Sequence, residues 1–255
     1  MIETPNLVFV FGAVGSGNTF MYSCLTASPS TYGVNEDAMG ATLERLIQSQ
    51  TETGRCPHAV EAFISFLDAL RADRNTLVLK TPSNLRRLTL LRKHLPDARF
   101  VYMIREPHAA IVSGLKRHDA NVMGVADHWE TDARSYLQHC GGDMVAIAYE
   151  DLVRSPDEVF ETLDRQTMPI DDEVKVYAHR MNRPERAGAN RWKEKVDAVT
   201  ASEIEREVRE RSLSPLYGEI VGATATEGAA AESVRDNAGT RLKKNLFRIY
   251  YRFAR

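Results

Sequence analysis

Two short stretches of this chain bring together residue types able to hold phosphate-like anions. The first is Gly12-Ala13-Val14-Gly15-Ser16-Gly17-Asn18-Thr19. Glycines let a turn aim successive backbone N–H groups at one point, and a helix N-terminus behind the turn adds partial positive charge. The spacing is that of the Walker A loop, G-x-x-x-x-G-K-[ST], with Asn18 in the place of the lysine. This is a phosphate loop without the cation that a nucleoside triphosphatase uses. The plainer alternative is a glycine-rich turn that binds nothing. The second stretch is Arg105-Glu106-Pro107-His108, followed by Ser113 eight positions after the arginine. A guanidinium matches phosphate oxygens two at a time, and a serine in the second turn of the next helix shares its face. Together Arg105 and Ser113 are candidates for clamping a second phosphate; the alternative is a surface arginine and an ordinary helix serine.

Such residues need strands to place them. Leu7 to Phe11 is a short apolar run without alternation, the pattern of a parallel strand buried on both faces. It ends at the glycine loop, and a helix is expected from Asn18 to about Ala27. Thr76–Lys80, Arg99–Ile104 and Met144–Ala148 are further strands, each followed by a helical stretch: 84–94, the one opened by Pro107, and the one opened by Ser155-Pro156. Alternating strands and helices imply a doubly wound sheet, and an arginine at the carboxyl end of a strand then faces the ligand crevice. The expected fold is α/β and P-loop-like, with a central parallel sheet of four or five strands flanked by helices on both faces. From Pro169 to Gly218 the pattern is helical, with Thr200 and Glu203 spaced as a capping box.

Of 255 residues, 43% are hydrophobic and 27% charged, which excludes a disordered, collagen-like or disulfide-scaffold protein. Cys24, Cys56 and Cys140 are far apart and odd in number, giving neither a disulfide framework nor a zinc spacing, so a reducing compartment is expected. No apolar run approaches the ~20 residues of a membrane span, and the N-terminus lacks the marks of a signal peptide, so a cytoplasmic protein is expected. The last fifteen residues carry six basic side chains and no acid, which leaves −8 on residues 1–240 against −2 for the whole chain. An acidic body argues against nucleic acid as a partner. We therefore expect a domain at 1–221, a linker at 222–240 and a basic amphipathic tail at 241–255. The tail is open to reading as a solvated helix, a partner-binding helix or a peripheral contact with an anionic membrane.

The motifs in order resemble the sulfotransferases that use 3′-phosphoadenosine 5′-phosphosulfate (PAPS). Gly15-Ser16-Gly17-Asn18-Thr19 is similar to the family's [KR]-S-G-T-[ST], and Arg105-Glu106-Pro107 with Ser113 matches its R-[DEN]-P…S. Lys80-Thr81-Pro82 resembles its K-T-P, Leu95 to Phe100 its FPDAKF, and Tyr149-Glu150-Asp151-Leu152 its Y-E-D-L. Arg186-x-Gly188 with Trp192-Lys193 resembles its R-x-G…W-[KR] element. The resemblance runs from Leu7 to about Gly218.

What it implies is a sulfuryl transfer without a metal. Ser16, Gly17, Asn18 and Thr19, with Gly15 before them, would hold the 5′-phosphate of PAPS. Arg105 and Ser113, with Arg186 and Gly188, would take the 3′-phosphate, and Tyr149 the adenine end. Lys80 matches the lysine that stabilises charge on the oxygen leaving sulfur. Gly15 stands where the family usually has Lys or Arg to steady the bridging oxygen, which leaves Lys80 as the only matched cation for that oxygen. Glu36, in Ser28-Pro29…Gly33-Val34-Asn35-Glu36, corresponds to the glutamate base of the Golgi and bacterial branches, with His108 and His118 as runners-up. The acceptor would be a hydroxyl or amine of a small molecule, carbohydrate, lipid or peptide, selected by loops such as 37–75 and 118–143. The competing readings are a P-loop kinase or nucleotide hydrolase, and a binding protein of the same fold that has lost turnover with the change at position 15.

Overall fold

A computed structural model describes residues 6–36, 38–53, 58–118, 120–182 and 191–222. Arg186, Gly188, the tail 241–255 and nearly all of the expected linker lie outside the described residues. Five strands form one parallel sheet: β1 (Asn6–Gly12), β2 (Thr31–Asn35), β3 (Thr76–Lys80), β4 (Arg99–Ile104) and β5 (Met144–Ala148), in the spatial order β2-β3-β1-β4-β5. The chain runs from β1 to the edge at β2, returns to β3 between them, and then crosses to β4 on the other side of β1. The crevice at the carboxyl ends of β1 and β4 is thus the switch point at which such sheets bind ligands.

Alternate residues of the central strands enter two separate cores. Phe9, Phe11, Phe100 and Tyr102 face one side, with the Phe9 and Phe100 rings stacked at 5.5 Å and Tyr102 stacked on Tyr136 at 4.5 Å. Val8, Val10, Val101 and Met103 face the other. Each such side chain contributes roughly 1.5–3 kcal/mol by leaving water. On the second side lie α1 (Asn18–Leu25), α8 (Pro156–Gln166) and α9 (Asp172–Met181), which supply Met21, Phe160 and Val174. On the first lie α2 (Met39–Thr53), α3 (Ala59–Arg71), α4 (Leu88–His94), α5 (Pro107–His118), α6 (Val122–His139), α10 (Ala198–Glu210) and a last helix, α11, over 213–222. The short α7 (Tyr149–Arg154) follows β5 directly.

Residues 31–35 add a fifth strand, at the edge of the sheet, where the sequence marked none. Three expectations need correction. A 3₁₀ helix, Pro82–Arg87, replaces the first half of the helix expected at 84–94, because Pro82 fixes the entry and the chain must turn sharply off β3. The regions 37–75 and 118–143 are largely helical (α2, α3 and α6) rather than loops. The cap of α10 is Asp197, whose carboxylate accepts from the Thr200 N–H at 2.8 Å; Thr200 already lies inside the first turn.

Arg211 ties the C-terminal helices to α6. Its guanidinium donates to Glu207 at 2.9 Å, Glu130 at 3.0 Å and Asp127 at 3.3 Å. The bonds from Arg211 hold the Glu207 carboxyl below its ordinary range. At Glu130 burial acts upward, and bonds from Arg134 and Arg211 outweigh it. Both folded pKa values are depressed, so this stabilisation is full above the ordinary carboxylate value of 4.5 and is lost as pH falls through the folded values. Arg211→Met is expected to cost about 2 kcal/mol at neutral pH and to flatten the acid limb of the Tm–pH curve, read by calorimetry. An unchanged acid limb would dissociate this cluster from acid unfolding.

Candidate active site

The glycine loop leaves β1 and returns as α1. Gly15 (φ 83°) and Gly17 (φ 92°) are both left-handed. A Cβ at Gly15 would lie 2.3 Å from the Ala110 carbonyl oxygen, and one at Gly17 2.5 Å from the Tyr149 ring, so only glycine fits either place. No side chain caps α1. The first-turn N–H groups of Asn18, Thr19 and Phe20 therefore point out of the helix end with its positive dipole, which is an anion seat. Ser16 is fully buried; its N–H donates to Ala13 at 3.1 Å, and its hydroxyl finds no partner among the described residues. Asn18 turns its amide inward, donating to the Gly12 carbonyl at 3.0 Å, so the side chain in the Walker lysine's place braces the loop. Thr19 stands at the mouth of the two cavities described below.

Arg105 follows β4 with its guanidinium 4.3 Å over the Tyr149 ring and donating to the Gly15 carbonyl at 3.3 Å. Its Nε lies 4.0 Å from Glu150 and makes no hydrogen bond among the described residues. Trp129 donates to the Arg105 carbonyl at 3.2 Å, fixing the arginine's backbone to α6. Burial pushes the Glu150 carboxyl up, and the Tyr217 hydroxyl donates to it at 2.9 Å. A cavity of about 440 Å³ is lined by Gly15, Gly17, Thr19, Arg105, Ser113 and Tyr149, together with Lys116, Arg191, Trp192 and Lys195. The structure thus joins the loop to the Arg105–Ser113 pair. It adds three cations, Lys116, Arg191 and Lys195, that no spacing marked. His108 belongs to this side, stacked on Trp192 at 4.9 Å. The side chain of His118 lies outside those described.

Lys80 ends β3, is 4% exposed and pairs with Glu36. Strand register makes the pair: Asn35 lies beside Lys80 in the β2–β3 ladder, and Glu36 is the next residue. Glu36 is a non-glycine residue at φ 52°, a strained conformation that clusters at functional sites. Lys80 and Glu36 line a second cavity of about 630 Å³ with Val14, Gly15, Asn18, Thr19, Thr81, Pro82, Ala120, Gly124, Val125 and His128. The two cavities share Gly15 and Thr19 and so meet at the glycine loop. His128 was unmarked because a lone histidine on a long amphipathic helix carries no spacing signal.

Residues 5–167, more than half of the chain, match the model of a sulfotransferase family. The chain belongs to the sulfotransferase family. Its fold is similar to the sulfotransferase domain from the Synechococcus PCC 7002 olefin synthase, with a TM-score of 0.56, 17% identity, and coverage of 80% of this chain and 94% of that one. The sulfotransferase domain from the curacin biosynthetic pathway gives 0.53 and 19%, covering 82% and 98%. Sulfotransferase STF9 from Mycobacterium avium gives 0.50 and 15%, covering 82% and 76%. At these identities the likeness is one of fold. No curated protein matches the sequence.

In this sulfotransferase the absence of Lys or Arg at position 15 has a steric cause. The left-handed backbone and the Ala110 carbonyl leave no room for a side chain there. The cations of the site come from other elements: Arg105 after β4 and Lys80 at the end of β3.

Proposed function

We propose that this sulfotransferase moves a sulfuryl group from PAPS to a hydroxyl or amine of an acceptor. The observation that carries the reading is the meeting of a cationic cavity and a Lys80–Glu36 cavity at one phosphate loop. The chain's residues fit a bisphosphorylated donor: a cradle closed to any Cβ at Gly15 and Gly17 and, among the described residues, a helix end with no side-chain cap and a buried arginine Nε without a hydrogen bond. When bound, PAPS supplies an activated sulfuryl group on a phosphate leaving group. The N–H groups of Asn18 and Thr19 and the Thr19 hydroxyl hold the 5′-phosphate. Arg105 and Ser113, with Lys116 and Arg191 near them, hold the 3′-phosphate, and Tyr149 lies against the nucleoside. Lys80, fixed and desolvated, stabilises the negative charge that develops on the oxygen leaving sulfur.

The acceptor cavity combines apolar walls (Val14, Pro82, Ala120, Val125) with Glu36 and His128. Those walls favour a small molecule or lipid with an apolar body over a densely hydroxylated carbohydrate. The kinase reading has less support, because β3 and β4 lead into cations and the Walker lysine's place holds an inward-turned Asn18. The test is transfer of label from ³⁵S-labelled PAPS to a panel of phenols, aliphatic alcohols and amines. Transfer to at least one class is expected. No transfer, with the donor bound, would favour the reading as a binding protein without turnover.

A further inference from the structure

Two side chains of α6 stand together on the acceptor side, and the donor site uses neither. His128 lines the cavity that holds Lys80 and Glu36. Asp132 lies one helical turn further along the same face, where residues four apart are neighbours. It is 8% exposed, deep for a carboxylate, and no arginine or lysine forms an ion pair with it among the described residues. Desolvation pushes its carboxyl up to about 6, against the opposing charges of Arg86, from the 3₁₀ helix after β3, and His128. Tyr102 of β4, stacked on Tyr136 of α6, faces it too, and the buried Tyr102 hydroxyl makes no hydrogen bond among the described residues. Meanwhile Glu36, the carboxylate that lines the cavity, is held by Lys80.

We infer that His128 takes the proton from the acceptor, with Asp132 as the positioning residue behind it, while Glu36 serves to hold Lys80. The inference rests on the sulfotransferase reading. In the step the acceptor oxygen forms a bond to sulfur as the bond from sulfur to the 5′-phosphate oxygen breaks. The acceptor's proton passes to an imidazole nitrogen, and adenosine 3′,5′-bisphosphate leaves. An imidazole suits the task because its free nitrogen accepts a proton near neutral pH, whereas a carboxylate oxygen facing a fixed ammonium is already engaged. Asp132, one helical turn away, stabilises the imidazolium so formed through its charge.

Two acceptors of unequal acidity separate the roles. At mildly alkaline pH 4-nitrophenol is ionised and needs no base, whereas phenol is not. His128→Gln is expected to slow transfer from PAPS to phenol about 100-fold, and to 4-nitrophenol about tenfold at most. Asp132→Asn is expected to slow the phenol reaction and alter its pH profile, with partial rescue by Asp132→Glu. Glu36→Gln is expected to slow both acceptors alike. Independently of turnover, the ¹³C-detected titration of the Asp132 carboxyl, raised by burial, is expected to move further upward in His128→Gln, because the opposing influence of His128 is gone. Equal losses on both acceptors for His128→Gln, a selective phenol loss for Glu36→Gln, or an unmoved Asp132 titration would overturn the assignment and leave the sulfotransferase reading standing. Wild-type transfer to no member of the phenol, alcohol and amine panel would overturn both.

Discussion

Lys80→Met is expected to lower the rate of sulfuryl transfer about 1,000-fold while leaving affinity for adenosine 3′,5′-bisphosphate close to wild type. Lys80 is 4% exposed at the end of a buried strand, so its charge acts with little screening from water. It lines the acceptor cavity and is absent from the walls of the donor cavity, which separates its effect on rate from any effect on binding. Methionine fills the same space without charge. The partner left behind, Glu36, has a side chain 63% exposed and is readily solvated, so the variant folds. Single-turnover transfer of labelled PAPS and calorimetry with the bisphosphate read the two effects. A fall in affinity matching the fall in rate would make Lys80 a donor-binding residue; an unchanged rate would remove it from the chemistry.

Gly15→Arg restores the residue type that the family's loop motif carries, and it is expected to abolish bisphosphate binding and lower the Tm by several degrees. At φ 83° any side chain costs roughly 1–3 kcal/mol in backbone strain. The new Cβ would also meet the Ala110 carbonyl oxygen at 2.3 Å and the Ser113 Cβ at 3.1 Å. Both belong to α5, so the clash displaces the helix that carries half of the Arg105–Ser113 clamp. In a domain of this size each kcal/mol is worth about 2–4 °C. Gly15→Ala is expected to reproduce most of the effect, since the first carbon already collides. Tighter binding or faster transfer in Gly15→Arg would show that the loop reaches a different conformation from the one described.

Four strands were legible because burial on both faces leaves uninterrupted apolar runs, and β1, β3, β4 and β5 fall at 6–12, 76–80, 99–104 and 144–148. Thr31–Asn35 was not: an edge strand with a glycine in its middle and side chains half in solvent shows neither a run nor clean alternation. The glycine loop and Arg105 were legible from spacing, since a turn and a clamp depend on residues near each other in sequence. Lys80 and Glu36 were marked only through resemblance, because their pairing is a product of strand register across 44 residues. Asn18's inward turn, the Trp129 bond to Arg105 and the placing of His128 depend on how α1 and α6 pack, which no local pattern encodes.

The central prediction is that two anion seats hold the two ends of one donor. Its most direct test is calorimetry comparing adenosine 3′,5′-bisphosphate with ADP plus Mg²⁺, on the wild type and on Arg105→Ala. The bisphosphate is expected to bind about 10–100-fold more tightly than ADP, as charge-assisted hydrogen bonds to the 3′-phosphate require, and Arg105→Ala to erase most of that difference. Equal affinities for the two nucleotides, or a preference that survives the loss of Arg105, would contradict it.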